Sequence, residues 1–222
     1  MKETENKDTV LGRIHVHHHA LIEHKLTLMR DHDCSTSRFR TLTREIAAFL
    51  AYQATYDLPL SMREVEVIKD SAKIAKPMIK GRKAVVVPIL RAGLVVADGA
   101  LDAIPAAHVG HMAFQRHKKG HGVDVSMVAL PEPQDRLFLL CDAVIGTGHT
   151  ACKAIEVLTA LDVEEDKIRF ITMLISPEGA AAVTQKYPNV IVHAISQEDG
   201  LDGNGHVFPG FGDASDRLFG IR

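Results

Sequence analysis

The chain has 222 residues, of which 46% are hydrophobic and 24% charged, with a formal net charge of −2. This is globular composition with enough apolar matter for one domain and some embellishment, and it offers no basic field for nucleic acid. No apolar run approaches the ~20 residues of a membrane span, and the polar start MKETENKDTV excludes a secretory signal peptide.

Residues 1–13 read as a disordered lead, and 14–222 as one domain. The cluster His15, His17, His18, His19 runs straight into ALIEHKLTLM. Nothing in the sequence assigns it a fixed ligand geometry, so it reads as ordinary surface histidines. The segment 20–30 is helical. Ser35 or Thr36 then caps a longer helix, whose apolar face is marked by Phe39, Leu42, Ile46, Phe49 and Leu50 and which reaches about Thr55. EVEVI (64–68) is a short alternating strand, and KPMIKG turns the chain into 83–90, KAVVVPIL. That β-branched run is a strand buried on both faces.

A helix opens at Arg91-Ala92-Gly93. A strand around 108–115, the basic loop HKKGHG and the alternating VDVSMVAL then read as a hairpin or flap. RLFLLCD, KIRFITMLIS and NVIVHAI are three further buried strands. Helices intervene at 150–161 and from Pro177, where proline suits the first helical position. The glycine-rich tail is largely loop. Buried strands alternating with helices over 83–195 imply an α/β fold with a mostly parallel central sheet flanked by helices. Three cysteines, Cys34, Cys141 and Cys152, with no C-x-x-C, indicate a reduced, cytoplasmic chain.

Ligands in such folds bind beyond the carboxyl ends of the strands. Arg91-Ala92-Gly93, the stretch 142–150 and the tail all lie there. Gly146-Thr147-Gly148-His149-Thr150-Ala151 fits the G-x-G-x-x-A spelling of a dinucleotide fingerprint. However, that motif expects to follow the first strand, with an acid about 20 residues on, and it has no use for Asp142. A Walker loop is excluded because no lysine follows the glycines. A ribose-phosphate site uses every piece. Asp142 bonds vicinal hydroxyls, and the backbone of Gly146 to Thr150 presents N–H groups and the helix dipole to a phosphate. The bland alternative is a plain βα turn.

Asp142-Ala143-Val144-Ile145-Gly146-Thr147-Gly148-His149-Thr150 is similar to the PRPP (5-phosphoribosyl-1-diphosphate) loop of phosphoribosyltransferases. With HALIEHKLTLMRDHDCSTSRFR, VVVPILRAGL, SPEG and DGNGHVFPGFGDASDRLFG, the chain resembles the uracil phosphoribosyltransferase family from about residue 15 to its end. The resemblance implies a type I phosphoribosyltransferase fold and the reaction of uracil with PRPP to give UMP and diphosphate. It implies catalytic roles for Asp142, Arg91 and Arg116. Arg91, Ala92, Gly93 and Arg116 would take the diphosphate, and Asp142 to Thr150 with Asp213 the rest of PRPP. Val207, Gly212, Asp213 and Ala214 would take uracil. It further implies Mg²⁺ carried mainly by the diphosphate, a homodimer or higher homo-oligomer, and no nucleic-acid or membrane partner.

The match breaks at the ligand loops. The family loop reads D-P-M-L-A-T-G-G-S, and His149 replaces a glycine: if the position needs a positive φ, a β-carbon there is strained, whereas a protonated His149 would add a phosphate contact. Gln115 stands for an aromatic residue, His206 for a tyrosine and Ala20 for a proline. The alternative reading is therefore a divergent paralogue with altered base preference or a ligand-sensing, non-catalytic role.

Overall fold

A computed structural model describes residues 9–69, 72–117 and 122–221; the centre of the HKKGHG loop and residues 1–8 lie outside them. β1 (Thr9–Leu11) and β2 (Ile14–Val16) pair antiparallel, so part of the segment read as a structureless lead is a strand. α1 (Ala20–Arg30) and α2 (Thr36–Gln53) follow. The Ser35 hydroxyl caps α2 by accepting the Arg38 N–H at 3.3 Å.

β3 (Leu60–Glu66) and β4 (Lys73–Ile79) form a separate antiparallel hairpin, where the sequence showed only a short strand and a turn. The hairpin is almost wholly exposed, so no buried face imposes a period of two on it. Pro77 is tolerated because this two-stranded ribbon has open edges.

β5 (Val85–Leu90), α3 (Gly93–Ala103), β6 (His108–Val109), β7 (His111–Arg116) and β8 (Val123–Ala129) form the middle of the chain. Beyond them come β9 (Phe138–Cys141), β10 (Val144–Ile145), α4 (His149–Thr159), a 3₁₀ turn (Glu165–Lys167), β11 (Ile168–Ile171) and β12 (Leu174–Ile175). The last third holds α5 (Pro177–Lys186), β13 (Ile191–Ala194), β14 (Ser196–Gln197), β15 (Gly200–Leu201), β16 (Val207–Phe208) and α6 (Ala214–Phe219). The tail is thus not all loop. Asp213 starts α6, its carboxylate accepting the Asp216 N–H at 2.9 Å, and Gly220 ends it at φ +64°.

The main sheet runs β1-β2-β13-β11-β9-β5-β7-β8, with β6 beside β5. Pairings from β2 to β7 are parallel, and only the outer pairs β1–β2 and β7–β8 are antiparallel. The α/β reading and the β7–β8 hairpin hold. Alternation along the strands feeds two cores. Val85, Val87, Phe138 and Leu140 face α4 and α5, whereas Val86, Leu139 and Cys141 face α2 and α3. Every central strand ends on the same side, which brings Arg91, Asp142 and Ser176 together.

α2 and α3 pack so closely that a β-carbon on Gly99 would lie 2.2 Å from the Arg44 carbonyl oxygen. Gly99→Val should force the helices apart and cost about 1–3 kcal/mol by overpacking. A lowered urea midpoint is the expected result, and an unchanged midpoint would refute the close crossing.

Candidate active site

The phosphate loop starts where β9 ends. The Ala143 N–H donates to Asp142 Oδ1 at 2.8 Å, fixing the carboxyl at the mouth of the sheet. Burial pushes the Asp142 pKa up to about 7, against the pull of that N–H and of Arg116. β10 pairs with β12, after which the chain turns through Gly148 at φ +78° into α4. The first-turn N–H groups of a helix have no intrahelical acceptor, and the dipole adds positive character there. α4 therefore begins as an anion seat.

The left-handed residue is Gly148, not His149. His149 is the first helical residue, so its β-carbon meets no backbone strain. Its exposed ring places Nδ1 2.8 Å from Thr147 Oγ1.

The loop rests on α5. The Ser176 hydroxyl donates to the Gly146 carbonyl at 2.7 Å and accepts the Gly179 N–H at 2.9 Å. A β-carbon at Gly179 would lie 2.3 Å from Gly146 O, so only glycine allows this contact. The SPEG segment is thus a brace under the phosphate loop.

A cavity of about 320 Å³ opens above the strand ends. Arg91, Ala92, Arg116, Asp142, Val144, Gly146, Thr147 and Thr150 line one part of it, and Val207, Gly212, Asp213 and Ala214 another. Arg116 Nε donates to Thr150 Oγ1 at 3.1 Å, tying the flap strand to the anion seat. Ile145 and Gly148 line a small adjoining recess. Gly93, Ala143 and His149 line neither space. Gly93 serves packing: a β-carbon there would lie 2.1 Å from Cys141 O. Phe114, Leu174, Gly210, Phe211 and Ser215 also line the cavity. Sequence reasoning missed them because they carry no chemistry that a pattern marks.

Sequence reasoning also missed what holds the tail in place. Arg30, at the end of α1, grips the buried Glu198 with two guanidinium nitrogens at 2.8 and 2.5 Å and donates to Gly210 O at 2.7 Å. Glu198 in turn accepts the Gly210 N–H at 2.9 Å. Burial works to raise the Glu198 pKa, but Arg30, Ser196 and Gly210 outweigh it and leave it below the usual carboxylate value. Arg217 donates to the carbonyls of Phe211, Met29 and Asp31 and stacks 4.7 Å over the Phe39 ring.

The sequence pattern of the family described as uracil phosphoribosyltransferase matches residues 16–221. The chain belongs to the uracil phosphoribosyltransferase family. Proteins named uracil phosphoribosyltransferase from Burkholderia thailandensis and Burkholderia pseudomallei are each 39% identical over 216 residues, 97% of this chain and 99% of theirs. The solved structure of the AQ2163 protein from Aquifex aeolicus superposes with a TM-score of 0.87 at 27% identity, covering 94% of this chain and 98% of that one. APRTase from Giardia lamblia, solved with 9-deazaadenine, shares the fold at TM-score 0.50 and 16% identity, over 70% of this chain and 80% of that one. Within the family frame, the substituted His149 and His206 stand at exposed positions.

Two outcomes are expected. Gly179→Ala should displace the phosphate loop and lower kcat/KM for PRPP by up to about a hundredfold. Little change in the uracil KM would separate this from global damage. The second concerns Asp142, whose folded pKa of about 7 lies above the ordinary aspartate value of 3.8. Between those values the folded chain holds a proton that the unfolded chain releases. The ligand-free protein therefore loses stability as pH rises from about 4 to about 7. Asp142→Asn removes this loss, so above neutral pH the variant should melt higher, by ~2–4 °C per kcal/mol. A pH-independent difference between the two melting curves would contradict the raised pKa.

Proposed function

We propose that the chain transfers the 5-phosphoribosyl group of PRPP to uracil, giving UMP and diphosphate. The observation that carries this is one shared cavity: the Asp142 carboxyl and the α4 anion seat open into the same space as Arg91, Arg116 and the tail residues 205–215. The 5-phosphate sits on the N–H groups at the start of α4, with Thr147 and Thr150 hydroxyls beside it. Asp142 accepts hydrogen bonds from the ribose hydroxyls and so sets the sugar's rotation. Arg91 and Arg116 take the diphosphate, whose departure from C1 leaves positive charge on the ring. Planar guanidinium forks pair with phosphate oxygens bidentately and stabilise the leaving group. No covalent nucleophile is required, since alignment and electrostatics carry the step.

Uracil lies against Val207 and the Gly212-Asp213-Ala214 backbone. Main chain held in a braced loop reads two carbonyls and an N–H. An amino group in their place leaves a donor facing a donor, which rejects cytosine. The acidic side chains lining the cavity are Asp142 and Asp213. That donor set suits Mg²⁺, which takes one or two carboxylates and otherwise substrate oxygens and water. When bound, the ion would neutralise diphosphate charge. We also propose that the chain is cytoplasmic and pairs with a second copy. The free thiols Cys34, Cys141 and Cys152 and the exposed Leu60, Met62, Ile74 and Ile79 of the β3–β4 hairpin support these readings.

A UMP-formation assay with uracil, PRPP and Mg²⁺, run beside other nucleobases, tests the proposal. Turnover with uracil is expected; turnover with another base alone would overturn it. Asp142→Asn should weaken PRPP binding far more than uracil binding. His149→Gly should change kcat/KM by no more than about twofold, the usual span for a surface substitution.

A further inference from the structure

We propose that His15, His17 and His193 form a binding site for one divalent transition-metal ion, with Zn²⁺ the natural occupant. The site lies at the β2 side of the sheet, on residues that the transfer reaction does not use. His15 and His193 are direct partners in the parallel pairing of β2 with β13, so their side chains leave the same face. His17 lies two residues beyond His15, and its N–H still bonds the Ala194 carbonyl at 2.9 Å. Alternation returns its ring to that same face. Three imidazoles from sequence positions 178 residues apart at the extremes (193 minus 15) thus converge.

The rings are close. His17 and His193 have centroids 5.2 Å apart and lie 4° from coplanar, with His17 Nε2 2.9 Å from His193 Nδ1. His15 and His193 centroids are also 5.2 Å apart. One ring nitrogen from each histidine falls within 4.8 Å of the other two. Tetrahedral zinc with Zn–N near 2.0–2.1 Å spaces its ligating nitrogens about 3.3 Å apart. Ligation therefore needs the buried pair to part by a few tenths of an ångström and both rings to turn until their lone pairs meet at the ion, with a rotation of the half-buried His15.

Nε2 of His193, on a ring only 1% exposed, has no hydrogen-bond partner among the described residues, so a buried imidazole nitrogen of the cluster is unsatisfied there. Arg169 is near enough to oppose a cation. However, its guanidinium bonds both oxygens of Asp57 at 2.5 and 3.0 Å, and that pair is neutral overall. Imidazole ligation selects zinc, copper or nickel over magnesium or calcium. The half-buried His15 gives the ion its route in. Once bound, the ion clamps β2 to β13 just ahead of α1, the helix that carries Arg30 to the tail.

The full-length protein, freed of metal with a chelator, is titrated with Zn²⁺ alone by calorimetry and with Co²⁺ by visible absorption. One saturable equivalent, a tetrahedral cobalt spectrum and a raised Tm are expected. His15→Val, a strand-compatible change at a half-buried position, should weaken zinc binding by at least about tenfold, as should His193→Tyr. His32→Ala, in the exposed Asp31-His32-Asp33 cluster, should leave it unchanged. Absence of saturable binding, wild-type affinity in His15→Val, or loss confined to His32→Ala would each overturn the proposal.

Discussion

The site depends on one backbone contact. The carbonyl of Gly146 lies directly against the first turn of α5, bonded by Ser176 and leaving no room for a side chain at Gly179. Because Ser176 follows β12 and Gly146 follows β10, and these short strands pair in parallel, the contact locks two βα turns to each other. The N–H groups at the start of α4 are then held where an anion can meet them. An anion seat organised in advance loses little entropy when its ligand arrives. The glycines of the loop therefore act through what they permit around them: Gly148 turns the chain and Gly179 admits the brace.

A second brace acts on the opposite wall. Arg30 and Glu198 meet across 168 residues of sequence and both bond Gly210. Removing either would leave a partly buried charge facing nothing, which is far more costly than the pair is stabilising. Their value is geometric, because the tail around Gly210 has little regular structure of its own. Arg217 reinforces it by gathering carbonyls from α1's end and from the tail. The N-terminal helix is thus part of the site without touching its cavity.

Asp142 shows the opposing demands on such a cavity. Its position at the end of a fully buried strand sets it in the cavity wall, and burial there raises its pKa to about 7. An acid set where it is least comfortable is common at ligand sites. Here the Ala143 N–H and Arg116, which ends the flap strand β7, supply partial compensation.

The sequence by itself determined the parallel α/β scaffold, because strands buried on both faces must be continuously apolar: VVVPIL and FLLC are unmistakable. It also determined the helix starts near Ser35 and at Pro177, the acid-then-glycine signature of the 142–150 loop, and the family. It was silent on the β3–β4 hairpin, which buries no face and so prints no period. The strain expected at His149 did not arise, since the positive φ belongs one residue earlier, a distinction that only the backbone makes. Tertiary structure alone decided that Arg30 belongs to Glu198, that Gly93 serves packing, and that His15 and His17, read as surface residues, meet His193 inside the protein. Those facts depend on strand order, and a neighbour across a parallel sheet leaves no mark on the local sequence of either strand.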